Sequence, residues 1–140
     1  MLGKDKCKGF SAGSQPSRKI HPYALDLLTN LGRDVTGLRC KSWEEFVRPG
    51  APALDFVFTV CDKATREVCP VWPGQPITAR WSMPDPSLAE GSESERRLAF
   101  ANTVRMLSRR ISIFLALRFK SLDRLALENR LAAIGRSNSD

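Results

Sequence analysis

Two cysteines, Cys61 and Cys69, have the clearest potential for chemistry in this chain. Cys61 follows the unbroken apolar run of residues 56–60, and Cys69 comes eight positions later, directly before Pro70. Two thiols that can approach each other form a redox pair, because they exchange electrons by making and breaking a disulfide. The same residues could equally be two buried cysteines acting as small apolar side chains, since Cys-x7-Cys is not a recognised signature. Spacing alone leaves both interpretations open.

The segments around the cysteines predict a small parallel sheet. Residues 56–60 are rich in β-branched and aromatic side chains, which is typical of a strand buried on both faces. Residues 77–81 alternate in a way that suits a strand at a sheet edge, and residues 9–14 could add a very short strand. Sites in open α/β sheets form outside the carboxyl ends of the strands, so Cys61 would lie at such an edge.

Helices are predicted before and between these strands. The first begins at His21-Pro22, because proline is tolerated in a first turn, and ends at Gly32, a natural stop. A capping box from Ser42 to Glu45 predicts a short helix through Phe46.

Two further helices are predicted after the second strand. A capping box from Ser92 to Glu95 opens the longest helix of the chain. The last helix begins after Ser121 or Asp123, and Gly135 should end it. Because strands alternate with helices, the predicted class is α/β with a small parallel sheet flanked by helices.

Length and composition limit the class of protein to which the chain can belong. The 140 residues, 42% of them hydrophobic, fit one globular domain. No run of 18 apolar residues occurs, and the amino-terminal residues lack the apolar segment of a secretory signal. We therefore expect a cytoplasmic protein whose cysteines are thiols, with no membrane contact. No metal is expected either, because the four cysteines lack the Cys-x2-Cys spacing of zinc sites and His21 has no partner ligand in register.

The net charge of +7 is concentrated near the carboxyl terminus. Residues 96–136 carry ten arginines and lysines against two acidic residues. A basic helix over residues 92–118 could meet an acidic partner, although a solvated helix face explains the same pattern. Nucleic acid is not expected as a partner, because no base-reading motif accompanies the arginines.

Several segments together resemble the arsenate reductases built on the low-molecular-weight protein tyrosine phosphatase fold. They occur in the family's order and cover roughly residues 9–118. The two-cysteine segment and the Trp…Asp-Pro segment are the more specific parts. The matching stretches are FSAGS at 10–14, residues 21–46, LDFVFTVCDKATREVCPVWPG at 54–74, ITARWSMPDP at 77–86, and the helix from Glu93.

The resemblance implies a phosphotyrosine protein phosphatase I-like (flavodoxin-like) fold and a known chemistry. In the family, a cysteine of a Cys-x5-Arg loop attacks arsenate or a phosphate ester, and the loop holds the oxyanion. Asp85 would match the acid that protonates the leaving oxygen, although a Pro-Asp-Pro turn needs no such role. Cys61 and Cys69 would match the cysteines that carry the oxidation outward as disulfides. The expected reductant is thioredoxin or glutathione/glutaredoxin, and no cofactor is expected to be bound.

One family element has no match in the 140 residues. None of the four cysteines is followed six positions later by arginine. We therefore expect a domain over residues 9–118 that lacks the first strand, the phosphate loop and the first helix. Residues 1–8 should be irregular, and residues 119–140 should form a carboxyl-terminal helix and tail.

Because the loop is missing, the sequence predicts two alternative functions. The function that the resemblance implies is thiol-linked arsenate reduction or tyrosine phosphatase activity. We expect the 140 residues to be inactive, because they lack the nucleophilic cysteine of the Cys-x5-Arg loop. A truncated reading frame and a degenerate family member both fit this pattern. The alternative function is a non-catalytic interaction protein that uses the basic helix over residues 92–118.

Overall fold

The computed structural model describes residues 7–13, 19–61 and 72–136. The described part has three α-helices and a two-stranded parallel sheet, which confirms the predicted α/β class with a small parallel sheet. The helices and strands, in chain order, are α1 (Pro22–Asn30), β1 (Phe56–Cys61), β2 (Ile77–Met83), α2 (Glu93–Leu115) and α3 (Arg124–Arg136). The same ranges also contain three short 3₁₀ turns, at Trp43–Phe46, Pro86–Leu88 and Phe119–Ser121.

β1 and β2 run parallel, so both strands end at the same edge of the sheet. Phe56 faces Ile77 at the start of the pairing, and Cys61 faces Met83 at its end. The register shifts between Thr59 and Cys61, where β2 takes one more residue than β1. Such a bulge bends the strand and redirects the side chains that follow it. The predicted short strand over residues 9–14 reduces, in the described part, to one parallel bridge between Gly13 and Ser42.

Trp81 is the centre of the hydrophobic core and is 2% exposed. Its ring stacks on Phe58 with centroids 3.9 Å apart, and Phe114 of α2 meets it edge-on at 6.3 Å. Its indole Nε1 donates a 3.0 Å hydrogen bond to the carbonyl of Leu131 in α3. Large aromatic side chains with a satisfied polar atom stabilise a core strongly. Trp81 therefore joins β2 to α2 through Phe114 and to α3 through Leu131.

The prediction that β1 is buried on both faces is wrong for the described structure. Residues 56–59 are half-buried, and Val60 is 40% exposed. Phe56 and Phe58 point to the core, where each meets Phe114. Within the described residues β1 pairs with β2 alone, and its apolar run is only partly buried.

Gly135 does not end the last helix, because α3 continues through Arg136. A Cβ at this position would lie 2.7 Å from Trp81 Cδ1 and closer still to the carbonyl oxygen of Arg80. The glycine therefore allows α3 to approach the backbone of β2. Asp123 caps the start of the helix, as predicted, and accepts a 2.8 Å bond from the Ala126 amide.

The two predicted capping boxes have different outcomes. At α2 the Ser92 hydroxyl accepts from the Glu95 amide at 3.2 Å and lies 3.3 Å from its carboxylate, as predicted. The box at Ser42 is wrong, because Ser42 accepts from the Glu44 amide and caps a 3₁₀ turn. The carboxylate of Glu45 pairs instead with an arginine, Arg39, which reaches it from the preceding loop.

Candidate functional site at the carboxyl edge of the sheet

Asp85 lies two residues beyond the end of β2, at the edge where Cys61 ends β1. The parallel pairing produces this arrangement, because Cys61 is the register partner of Met83. Asp85 is exposed and opens the 3₁₀ turn Pro86–Leu88. The structure thus brings a carboxylate and the backbone of one predicted redox cysteine to one sheet edge.

Ser87 fixes the orientation of the Asp85 carboxylate. Oδ1 of Asp85 accepts a 2.9 Å bond from the Ser87 amide and a 2.6 Å bond from its hydroxyl. Oδ2 has no hydrogen-bond partner among the described residues. A carboxylate held through one oxygen leaves the other available to exchange a proton with a bound molecule.

An open pocket of about 520 Å³ lies between this loop and α2. Its lining is mostly apolar, and Asp85 is the only charged residue among the described ones that line it. The lining residues are Met83, Pro84, Asp85, Pro86, Leu88 and Ala89 from the strand end and loop, and Ala99, Asn102, Thr103 and Met106 from α2. Because this described wall offers no cation, it supplies no group that would hold an oxyanion by charge.

The structure describes the two predicted redox cysteines only in part. Cys69 lies outside the described residues, and Cys61 is described through its backbone alone. Of the other two cysteines, Cys7 is exposed and Cys40 is half-buried in the loop before the first 3₁₀ turn. Across the described ranges no group of three histidine, cysteine or carboxylate side chains is arranged to hold a metal ion.

Sequence reasoning missed two residues of this region. Ser87 binds Asp85 as an Asx turn does, and Asp followed two positions later by serine is a local signal for that turn. Arg110 of α2 is 5% exposed and donates from Nη1 to the Trp81 carbonyl at 2.8 Å. No local pattern distinguishes this arginine from its exposed neighbour Arg109, because only the packing of α2 on β2 buries it.

Comparison with known proteins gives a consistent result, although no family model matches the chain. The chain is 26% identical over 110 residues to a protein of Halalkalibacterium halodurans, covering 79% of this chain and 76% of the relative. It is 27% identical over 105 residues to a protein of Oceanobacillus iheyensis, covering 75% and 72%. A protein of Shouchella clausii is 27% identical over 110 residues, covering 79% and 76%.

All three relatives are named arsenate reductase. The chain is therefore similar, over at least three quarters of its length, to proteins that carry this name. The α/β architecture and parallel sheet are compatible with the flavodoxin-like fold that the resemblance implies. None of the described helices has both the length and the apolar character needed to cross a membrane.

Proposed function

We propose that this protein serves thiol-linked arsenate reduction on a scaffold of the low-molecular-weight protein tyrosine phosphatase type. Asp85 handles the proton, and Cys61 and Cys69 carry the electrons. The observation that supports this most is the shared carboxyl edge of β1 and β2, where Asp85 and the backbone of Cys61 come together. The names of the three relatives support the same substrate.

The net reaction is balanced by the two thiols. Arsenate accepts two electrons and becomes arsenite, and one of its oxygens leaves as water with the two thiol protons. Cys61 and Cys69 lose those two electrons when the bond between their sulfurs forms. Thioredoxin or glutathione/glutaredoxin would then reduce the disulfide, so the protein needs no bound cofactor.

Asp85 is suited to the proton transfer by its hydrogen bonds. The amide and the hydroxyl of Ser87 both donate to Oδ1 and so fix the orientation of the carboxylate. Oδ2 has no hydrogen-bond partner among the described residues. Protonation of a departing oxygen by a positioned acid typically contributes about 100- to 10,000-fold in rate. The same group would serve a phosphate ester, so Asp85 does not discriminate between the two substrates.

The loop that would hold the oxyanion is not among these 140 residues. No Cys-x5-Arg occurs in the sequence, and the described lining of the pocket holds no cation. Removal of a single preorganised donor costs about 100- to 1000-fold in such sites. We therefore propose that the 140-residue polypeptide by itself neither reduces arsenate nor hydrolyses aryl phosphates.

Disulfide mapping tests the roles of the two cysteines. After mild oxidation, peptide mass mapping should find Cys61 joined to Cys69, while Cys40→Ser leaves that disulfide unchanged. Closure of so short a loop costs little entropy, and a disulfide needs Cα atoms about 4.4–6.8 Å apart. A bond from Cys61 to Cys40 or Cys7, or a Cys61 that stays reduced in folded protein, overturns the electron-relay role.

A fusion tests the substrate and the acid. A strand, Cys-x5-Arg loop and helix from a low-molecular-weight protein tyrosine phosphatase are joined to the amino terminus, and arsenite formation is measured. We expect turnover in the fusion and at least a 100-fold loss with Asp85→Asn. Asp34→Asn is the matched control, because Asp34 accepts from the amide and hydroxyl of Thr36 just as Asp85 does from Ser87. Equal rates for the two variants contradict the acid role of Asp85, and turnover by the unfused polypeptide contradicts the missing oxyanion-binding loop.

A further inference from the structure

The pocket beside Asp85 has two walls, each with a backbone fixed by its own hydrogen bonds. One wall is the end of β2 and the 3₁₀ turn that follows it, where the Leu88 amide donates to the Asp85 carbonyl at 3.1 Å. Pro84 and Pro86 further restrict the backbone of this wall. The other wall is the helix α2. A preformed pocket of about 520 Å³ is within the size range of small-molecule sites, about 300–1,000 Å³.

The apolar side chains of the pocket favour an aromatic occupant. Met83 at the end of β2 and Met106 of α2 both line it, and the lining residue Leu88 is 61% exposed. Thioether sulfurs make favourable contacts with aromatic rings, and unbranched methionine side chains adapt to the shape of what they contact. Covering the exposed surface of Leu88 also favours binding of an apolar molecule. The lining therefore suits a flat apolar body.

Two polar groups of the lining have no hydrogen-bond partner among the described residues. They are Oδ2 of Asp85 and the side-chain amide of Asn102. The third polar side chain of the lining, Thr103, already donates to the Ala99 carbonyl at 2.9 Å. A carboxylate oxygen only accepts hydrogen bonds, and the oxygen of an amide accepts them as well. The pocket therefore offers acceptors to a ligand that carries donors.

The charge of the chain around the pocket is negative. Residues 81–95 contain four carboxylates and no lysine or arginine, although the net charge of the whole chain is +7. Glu93 and Glu95 are engaged at the start of α2, whereas Asp85 lines the pocket and Glu90 is exposed on the same loop. Apolar walls of low dielectric strengthen the field of a carboxylate compared with bulk water. The described surroundings of the pocket therefore attract a positive group and repel an anion.

We propose that this pocket binds a small organic cation, in which an ammonium group is attached to an aromatic body. The ammonium group donates to Oδ2 of Asp85, and the ring lies against the thioethers of Met83 and Met106. A hydrogen bond between charged groups is about twice as strong as one between neutral groups. The carboxylate therefore selects the charge and the orientation of the ligand, and the apolar walls select its body.

Other classes of ligand fit the described lining less well. An oxyanion finds no cation there. A divalent metal ion needs several ligands, whereas the pocket has one carboxylate, and the described ranges contain no group of three histidine, cysteine or carboxylate side chains that could hold a metal. A purely apolar ligand would remove water from Oδ2 of Asp85 without replacing the lost hydrogen bonds.

Three ligands with the same indole ring and different charges test the proposal by isothermal titration calorimetry. Tryptamine carries an ammonium group, tryptophol a neutral hydroxyl group and indole-3-propionate a carboxylate. We expect tryptamine to bind about tenfold more tightly than tryptophol, since hydrogen bonds to charged groups are the stronger ones, and indole-3-propionate to bind most weakly. Equal affinities of tryptamine and tryptophol overturn the proposal, and so does the absence of measurable tryptamine binding.

Substitution of Asp85 tests which group selects the charge. In Asp85→Asn, tryptamine should bind no more tightly than tryptophol. Asp34→Asn is the matched control and should keep the tenfold preference, because Asp34 is held by Thr36 in the same way but does not line the pocket. A preference that survives Asp85→Asn, or that both variants lose equally, overturns the assignment of the cation to this carboxylate.

Methionine methyl groups report where the ring binds. The chain has three methionines, and two of them, Met83 and Met106, line the pocket. In protein labelled with ¹³C at the methionine methyl groups, tryptamine should shift the signals of these two residues, which Met83→Leu and Met106→Leu assign. Leu88→Ser, at an exposed position of the lining, should weaken tryptamine and tryptophol by the same factor. Unchanged signals of both methionines at saturating tryptamine overturn the location of the site.

One consequence for catalysis rests on the proposed function. An ammonium group on Oδ2 of Asp85 occupies the oxygen that transfers the proton, so tryptamine should inhibit arsenite formation by the active fusion more strongly than tryptophol does. Tryptamine that binds in the pocket without inhibiting the fusion contradicts the acid role of Asp85. An inactive fusion contradicts the proposed function, and calorimetry on the unfused protein then decides the binding site independently.

Discussion

The guanidinium of Arg110 donates a 2.8 Å hydrogen bond from Nη1 to the backbone carbonyl of Trp81. This bond joins the carboxyl-terminal part of the longest helix to β2, the strand that ends two residues before Asp85. Burial lowers the pKa of Arg110 from its ordinary value, because the charged form loses its hydration. The arginine therefore stays in the core at a cost that its contact with β2 must offset.

Arg110→Ala should destabilise the protein, because a buried carbonyl loses its donor and the packed stem is removed. An orphaned buried acceptor costs about 1–3 kcal/mol, measured as the free energy of unfolding in urea. Arg110→Met keeps most of the stem and should recover part of that loss. Arg105→Ala, at an exposed position of the same helix, is the control and should change stability by less than about 0.5 kcal/mol. Equal effects at positions 105 and 110 would contradict the structural role.

Gly135→Ala should also destabilise the protein, because the added methyl group meets the Arg80 backbone and the Trp81 ring. Overpacking of this kind costs about 1–3 kcal/mol. Gly37→Ala is the matched control, since a Cβ there meets nothing within 4 Å. Thermal unfolding followed by tryptophan fluorescence compares the two variants. A Gly135→Ala protein as stable as Gly37→Ala would mean that α3 does not approach β2 so closely.

His21 acts as the amino-terminal cap of α1, and its loss should weaken that helix. Its Nδ1 accepts a 3.1 Å bond from the Tyr23 amide, and its ring lies 4.6 Å from that of Phe100 in α2. His21→Ala should cost about 0.5–2 kcal/mol in the free energy of unfolding. His21→Asn keeps a capping oxygen and loses the ring contact, so it should lie between the parent and His21→Ala. Identical losses in both variants would assign the whole effect to the ring contact.

Glu45 should make stability depend on pH in the acid range. The hydrogen bond from Arg39 holds the pKa of this carboxyl below its ordinary value, with a smaller contribution from the charge of Arg39. A carboxyl group whose pKa is lower in the folded state stabilises the folded protein fully when the pH is above its unfolded-state pKa, about 4.3. This contribution is lost as the pH falls through the folded-state pKa.

Glu45→Gln tests this pH dependence. Urea unfolding at pH 7 should show a small deficit in the free energy of unfolding of the variant, and the deficit should shrink as the pH falls below about 4.3. The pair is exposed, so 0.5 M NaCl should reduce the deficit at pH 7 as well. Glu44→Gln is the control. A deficit that is constant from pH 7 to pH 3 would show that the carboxylate charge is not its cause.

The local sequence predicted the elements well where short-range contacts form them. Ser92 caps α2, Asp123 caps α3, and proline opens α1. These features depend on residues within a few positions of one another, which the chain brings together without help from the rest of the fold. The capping box at Ser42 failed because Glu45 found a stronger partner, Arg39, in the preceding loop.

The candidate site was predicted in part. Asp85 after one strand and Cys61 at the end of another could be placed at one sheet edge from the parallel class alone. The orientation of the Asp85 carboxylate by Ser87 could have been suspected from an Asx turn, but the wall contributed by α2 could not. The partial burial of β1 also escaped prediction, because an apolar run does not reveal how many of its faces the rest of the molecule covers.

By itself, the sequence determined the positions of the main helices and strands, the α/β class and the resemblance to arsenate reductases, because these depend on residue type and spacing. Only the tertiary structure decided which arginine is buried, why position 135 is glycine and which face of α2 remains exposed. Those outcomes depend on contacts between residues that lie tens of positions apart, such as Trp81 with Arg110 and Leu131. Side-chain chemistry alone does not distinguish Arg110 from Arg109, since both lie on the same helix and only one faces β2.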